Sequence, residues 1–208
     1  MTTLLTNVLN KELPALPEKI VHHVDDENLT YTAANQLASY LMTLNPQLNR
    51  SIVVVSIGTD RSTGDSLGPL VGSFLKEQQH LIPEIHLYGT LDNPVHATNI
   101  DKCIENIKHI HSNSIIIAID ACLGQAKNIG NLSLGIGSIK PGAGVKKELP
   151  SIGHIYITGT VNVGGYLEYL VLQNTRLSLV MKLAKSISDT IYKTYHKVQI
   201  YKKQMPSH

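Results

Sequence analysis

Two stretches of the chain are almost uninterruptedly apolar and β-branched, Ile52–Ile57 (IVVVSI) and Ser114–Ile119 (SIIIAI). Runs of that length and composition are expected of strands covered on both faces. Between and around them the apolar positions recur at helical spacing. Ala34, Leu37, Ala38 and Leu41 fall at i, i+3, i+4 and i+7, which predicts a helix over 30–44 with Thr30 as its cap and Asn45–Pro46 as its stop. Leu67, Leu70, Val71, Phe74 and Leu75 share one helical face, and Pro69 is tolerated there because it lies in the first turn. A third helix is predicted over 96–111 from Ala97, Ile100, Ile104 and Ile107. Shorter strands are expected at Glu84–Tyr88, Leu132–Ile136 and His154–Ile157. A long C-terminal helix is expected from about Tyr166, with Val180, Leu183, Ala184, Ile187 and Ile191 inward and Lys182, Lys185, Asp189 and Lys193 outward.

The alternation of strand and helix implies an α/β fold with a mixed, mainly parallel sheet covered on both faces. Residues 1–50 read as an N-terminal arm with one helix, 51–196 as the α/β domain and 197–208 as a C-terminal tail. At 208 residues, 42% hydrophobic and 16% charged, the chain has enough apolar material for a core and too little charge for disorder. A net charge of +2 calls for neither nucleic acid nor an anionic membrane as partner. Cys103 and Cys122 read as reduced thiols, and no signal peptide or membrane-spanning run is seen, so a soluble cytoplasmic protein is expected. The unpatterned arm and the apolar helices make a homodimer the expected assembly.

In such a sheet ligands bind where the strands end at their carboxyl side. The segments expected to form that rim are 58–69, 88–99, 120–125, 135–144 and 157–165, which hold most of the glycines. Two acids stand out among them. Asp65 lies at the mouth of the helix that follows the first buried strand, and Asp120 is the first polar residue after the third strand. If those strands are neighbours, the two side chains can converge. Carboxylates about 4 Å apart repel by roughly 4 kcal/mol at an effective dielectric near 20, about three pKa units, so one stays protonated while the other ionises. Such a pair can deprotonate a water and protonate a leaving amine. An Asp at a helix start can equally be a cap, and one after a strand can merely bond the next turn.

Gly64–Asp65–Ser66–Leu67 matches the first block of the GDSL-type esterases, which would make Ser66 a nucleophile, but the Asp-x-x-His block of those enzymes is missing. Thr59, Asp60, His96 and Lys140 are candidate substrate contacts, as are the backbone amides around Gly142 and Gly144. Gly135-x-Gly137 lacks the third glycine of a dinucleotide fingerprint and there is no Gly-Lys-Ser/Thr phosphate loop, so no cofactor is expected.

Five motifs in order, GDSLGP (64–69), YGTLDNPVHATN (88–99), AIDACLG (118–124), KPGAGVKKELP (140–150) and ITGTVNVGGYLEYLVLQNTRL (157–177), resemble the YyaC-type sporulation proteins of endospore-forming bacteria. That family resembles in turn the spore germination protease, an atypical aspartic peptidase acting on small acid-soluble spore proteins. The resemblance implies a three-layer, phosphorylase/hydrolase-like α/β fold and a protein or peptide substrate in the forespore or spore core. It also implies Asp65 and Asp120 as the catalytic pair. Hydrogenase maturation endopeptidases look similar in fold and place acidic metal ligands near the same strand ends, with a histidine. Lys140 stands where the germination protease has its glycine-loop histidine, which argues against a copied metal site, although His96 could take the histidine's place. Two other readings remain from the residues: a sporulation scaffold that has lost turnover, and a metal-dependent processing peptidase.

Overall fold

The computed structural model describes residues 17–142 and 149–205. In chain order the elements are β1 (Lys19–His23), α1 (Leu29–Leu44), β2 (Ser51–Ser56), α2 (Leu67–Glu77), β3 (Ile85–Tyr88), α3 (Ile100–Ile110), β4 (Ser114–Gly124), β5 (Asn131–Ile136), β6 (Ile155–Val163), α4 (Glu168–Gln173) and α5 (Leu177–Gln204). Six strands form one sheet in the order β1-β5-β6-β4-β2-β3. The four from β6 to β3 are parallel, and β5 and β1 add to the β6 edge antiparallel. The mixed, mainly parallel α/β sheet expected from the sequence is therefore the fold.

Side chains alternate across the strands, and each sheet face has its own cover. Val54, Ile117, Ile119, Leu134 and Ile157 point to a core closed by α1, α2 and α5, through Leu37, Val71, Leu183 and Ile187. Val53, Val55, Ile57 and Ala118 point the other way, to Ile100 and Ile107 of α3 and to Leu149 and Ile152. This double cover is why β2 and the first part of β4 carry almost no polar residue.

The structure departs from the sequence reading in four places. The arm contributes a strand: β1 pairs with β5 from Lys19↔Gly135 to His23↔Asn131, and its alternating exposed and half-buried positions left no apolar run to detect. Residues 1–16 of that arm lie outside the described residues. The segments 120–125 and 157–165 are largely strand rather than loop, because β4 and β6 keep pairing from Asp120↔Thr158 to Gly124↔Val163. The expected C-terminal helix is broken into α4 and α5, and α5 continues to Gln204 with Val198 buried, so most of the predicted tail is helix. Finally, α3 begins at Ile100 rather than at 96, and α1 begins at Leu29, which places Thr30 inside the helix rather than at its cap.

Candidate active site

The uneven lengths of β2 and β4 create the site. Their pairing ends at Ser56↔Ile119, with one further bond from Ile57 N–H to the Ile119 carbonyl at 2.7 Å. β4 runs on beside β6, so Asp120 is the first residue of β4 with no strand on its β2 side. The chain leaving β2 arches over that gap. Gly58 N–H donates to the Val95 carbonyl at 2.8 Å and Thr59 N–H to the Asp65 carbonyl at 3.1 Å, which folds 58–65 back on itself. Gly58 is required there. Its φ is +143°, and a Cβ on it would lie 1.9 Å from the Asp65 carbonyl oxygen. A single 3-10 turn, Gly64–Ser66, then delivers the chain into α2.

Asp65 and Asp120 meet at one cavity of about 210 Å³, walled also by Gly58, Thr59, Ser62, His96, Gly142, Leu149, Tyr169 and Leu172. Asp65 is not spent as a cap: α2 has Ser66 as its N-cap residue, and no side chain bonds its first amides. Burial pushes the Asp65 carboxyl up from 3.8 to about 6. The Ser62 hydroxyl, buried at the same wall and short of a normal hydrogen bond to any group, draws it slightly back. Asp120 is pushed further, to about 8, first by burial and then by the charge of Asp65. Backbone N–H groups of Gly142 and Ala121 oppose the rise, the latter donating to Oδ1 at 2.9 Å. Burial is thus the larger cause and mutual repulsion the smaller. Asp65 ionises beside a neutral Asp120, which then holds its proton against a charge next to it.

The remaining candidates divide. Thr59, His96 and Gly142 line the cavity with the acids. His96 turns Nδ1 to the Thr98 hydroxyl at 2.9 Å, and Gly142 gives its N–H to Asp120 rather than to a ligand. Asp60 and Lys140 are exposed and do not line the cavity, and Gly144 lies outside the described residues. Asp60 sits in the tight turn that Thr59 closes by accepting the Arg61 N–H at 3.3 Å, which keeps its carboxylate in solvent. Ser66 is buried outside the cavity, with Oγ donating to the Thr63 carbonyl at 2.7 Å, which leaves no free nucleophile. Cys122 shares a 3.4 Å contact with the Thr160 hydroxyl. Sequence reading missed Ser62, Tyr169 and Leu172. Leu172 seats on the acid turn so closely that a Cβ at Gly64 would come within 2.6 Å of it. The unusual apolar density of YLEYLVL was the signal available.

Among the described residues no group of three or more His, Cys, Asp or Glu side chains is gathered so as to hold an ion. Asp65, Asp120 and His96 share the cavity without forming such a set. Among the described residues, too, no helix is long and apolar enough to cross a membrane.

Fold and site together define a three-layer α/β protein in which two carboxyls, one on β4 and one in the turn before α2, line one cavity at the carboxyl-end rim of the parallel strands. The chain belongs to the family described as "Protein of unknown function (DUF1256)", whose model matches residues 21–190. It is 52% identical over 158 residues, 76% of either chain, to the uncharacterized protein YyaC of Bacillus subtilis (strain 168), so the resemblance to YyaC-type proteins holds. Among solved structures it is similar to the [NiFe] hydrogenase maturation protease HycI from Thermococcus kodakarensis KOD1. That match has a TM-score of 0.49 and 16% identity, over 77% of this chain and 98% of that one.

Proposed function

We propose that the protein is a sporulation-associated peptidase in which Asp65 and Asp120 act as one acid–base unit on a water and a peptide bond. The observation that carries this reading is the shared cavity: two acids distant in sequence face one small space, and both are held well above the usual carboxylate range. Between pH about 6 and about 8 the pair holds one proton. In that state Asp65 takes a proton from the attacking water while Asp120, fixed by the Ala121 and Gly142 amides, gives its proton to the carbonyl oxygen; as the tetrahedral intermediate collapses, Asp65 passes its proton to the departing amine and Asp120 takes one back from the gem-diol hydroxyl. Thr59 and His96 would hold the peptide. The resemblance to the germination protease supports a polypeptide substrate such as the small acid-soluble spore proteins, in the forespore or spore core; the homodimer rests on the sequence pattern of the arm and helices.

The test is incubation of the purified protein with small acid-soluble spore proteins, with new chain termini read by mass spectrometry. Cleavage is expected from the wild type, reduced about a thousandfold by Asp65→Asn or Asp120→Asn. Either Asn variant cutting at the wild-type rate would remove the pair from the chemistry.

A further inference from the structure

One surface is apolar beyond ordinary scatter. Between β6 and the end of α4, five large apolar side chains stand in solvent: Val163 at 38% exposure, Tyr166 at 87%, Leu167 at 51%, Tyr169 at 55% and Leu170 at 37%. Single exposed apolar residues need no explanation, but a contiguous run marks a contact surface. Leu167 moreover adopts the left-handed region, with φ 52° and ψ 46°, which a leucine enters at a cost. That conformation is fixed rather than loose. Glu168 Oε1 accepts the Gly165 N–H at 3.2 Å, and Asn162 Nδ2 donates to the Val171 carbonyl at 3.3 Å and to the Thr175 hydroxyl at 3.2 Å. The anchoring holds the strained turn and its apolar side chains outward.

The same short helix forms a wall of the acid cavity. Tyr169, Leu172 and Gln173 line it, and Leu172 is seated over Gly64 beside Asp65. Tyr169 therefore belongs to both the exposed patch and the cavity, so the two are continuous. We infer that the 163–170 surface is a docking site for an apolar segment of the polypeptide whose neighbouring residues enter the Asp65–Asp120 cavity. The inference rests on the peptidase reading of that cavity. A second copy of the chain fits less well. Five residues fall far short of the roughly 20–30 a side in a standard interface, and a permanent copy on Tyr169 would cover the cavity mouth.

The experiment uses the full chain and a fluorescein-labelled dodecapeptide, Gly/Ser-rich with a central Leu-Phe-Leu, beside its Ser-Ser-Ser counterpart. Binding is followed by anisotropy and by amide chemical shifts. The apolar peptide is expected to bind and to shift amides of 163–170. Tyr166→Ser with Leu170→Ser, or Tyr166→Ser alone, should weaken it about tenfold with an unchanged melting temperature. Asp65→Asn and Asp120→Asn should bind as wild type, so loss of cleavage with retained binding separates this surface from the acid pair. Three results would overturn the inference: equal binding of the two peptides, wild-type affinity in the Ser variants, or a sedimenting dimer that the Ser variants split into monomers.

Discussion

The two sides of the sheet are built from similar strands and put to different ends. On the antiparallel side, β1 and β5 align along their whole length, and the inward residues Leu132 and Leu134 belong to the buried apolar core. On the parallel side, β4 outruns β2, and the first residue past the step is an acid. The difference teaches where a fold tolerates costly polar burial. A flush edge leaves nothing to fill, whereas a step between parallel strands opens a space that backbone amides and a returning loop can line.

The sharpest way to break that contrast is to substitute one residue from each side. Asp120→Asn is expected to lower cleavage about a thousandfold, whereas Leu134→Ala should destabilise the fold by roughly 2–5 kcal/mol without changing the rate per folded molecule. Denaturant melts read beside initial rates decide it, and a Leu134→Ala variant that is stable but slow would contradict the division. Next in size is the pH response. Because Asp120 titrates near 8 when folded and at 3.8 ordinarily, the folded chain keeps a proton that the unfolded chain sheds. Stability therefore falls as pH rises through that window. Asp120→Asn should remove this loss, gaining roughly 2–4 kcal/mol over wild type at alkaline pH and nothing below the ordinary carboxylate range. Thermal melts across pH show it, and parallel curves for the two proteins would mean that the buried carboxyl is ordinary.

Smaller again is Gly58→Ala. A methyl group there meets the Asp65 carbonyl and forces the loop to move, at a cost of roughly 1–3 kcal/mol. Its activity should fall further than its stability, because the same shift re-aims Asp65. At the bottom of the scale lies the exposed ion pair between Lys182 and Asp25. Lys182→Ala should leave both the melting temperature and the rate where they were.

Much of this was legible from residues alone, for reasons that differ by region. β2 and the start of β4 announced themselves because both faces are covered, and the positions of Asp65 and Asp120 followed from the rule that such sheets open at their carboxyl ends. β1 stayed hidden because KIVHH at a half-covered edge has no apolar signature. The apolar run of β4 stops at Ile119, so its pattern ends with the first polar residue, whereas pairing with β6 carries the backbone onward. Lys140 and Asp60 looked plausible as loop residues near glycines, and only three dimensions show both pointing to solvent. The dominance of burial over charge repulsion in raising Asp120 could not be read from spacing, since it depends on what packs around the carboxyl.

Asp120 and Asp65 are mounted differently. The first is clamped within a strand that continues past it, while the second rides a turn held by a glycine beneath and a leucine above. The position of one acid is set by strand pairing, that of the other by what packs around its turn. Drift among related chains in the spacing of the two acids should accordingly be absorbed by the 58–66 arch and the α4 residues packed on it, with the β4 acid serving as the fixed datum.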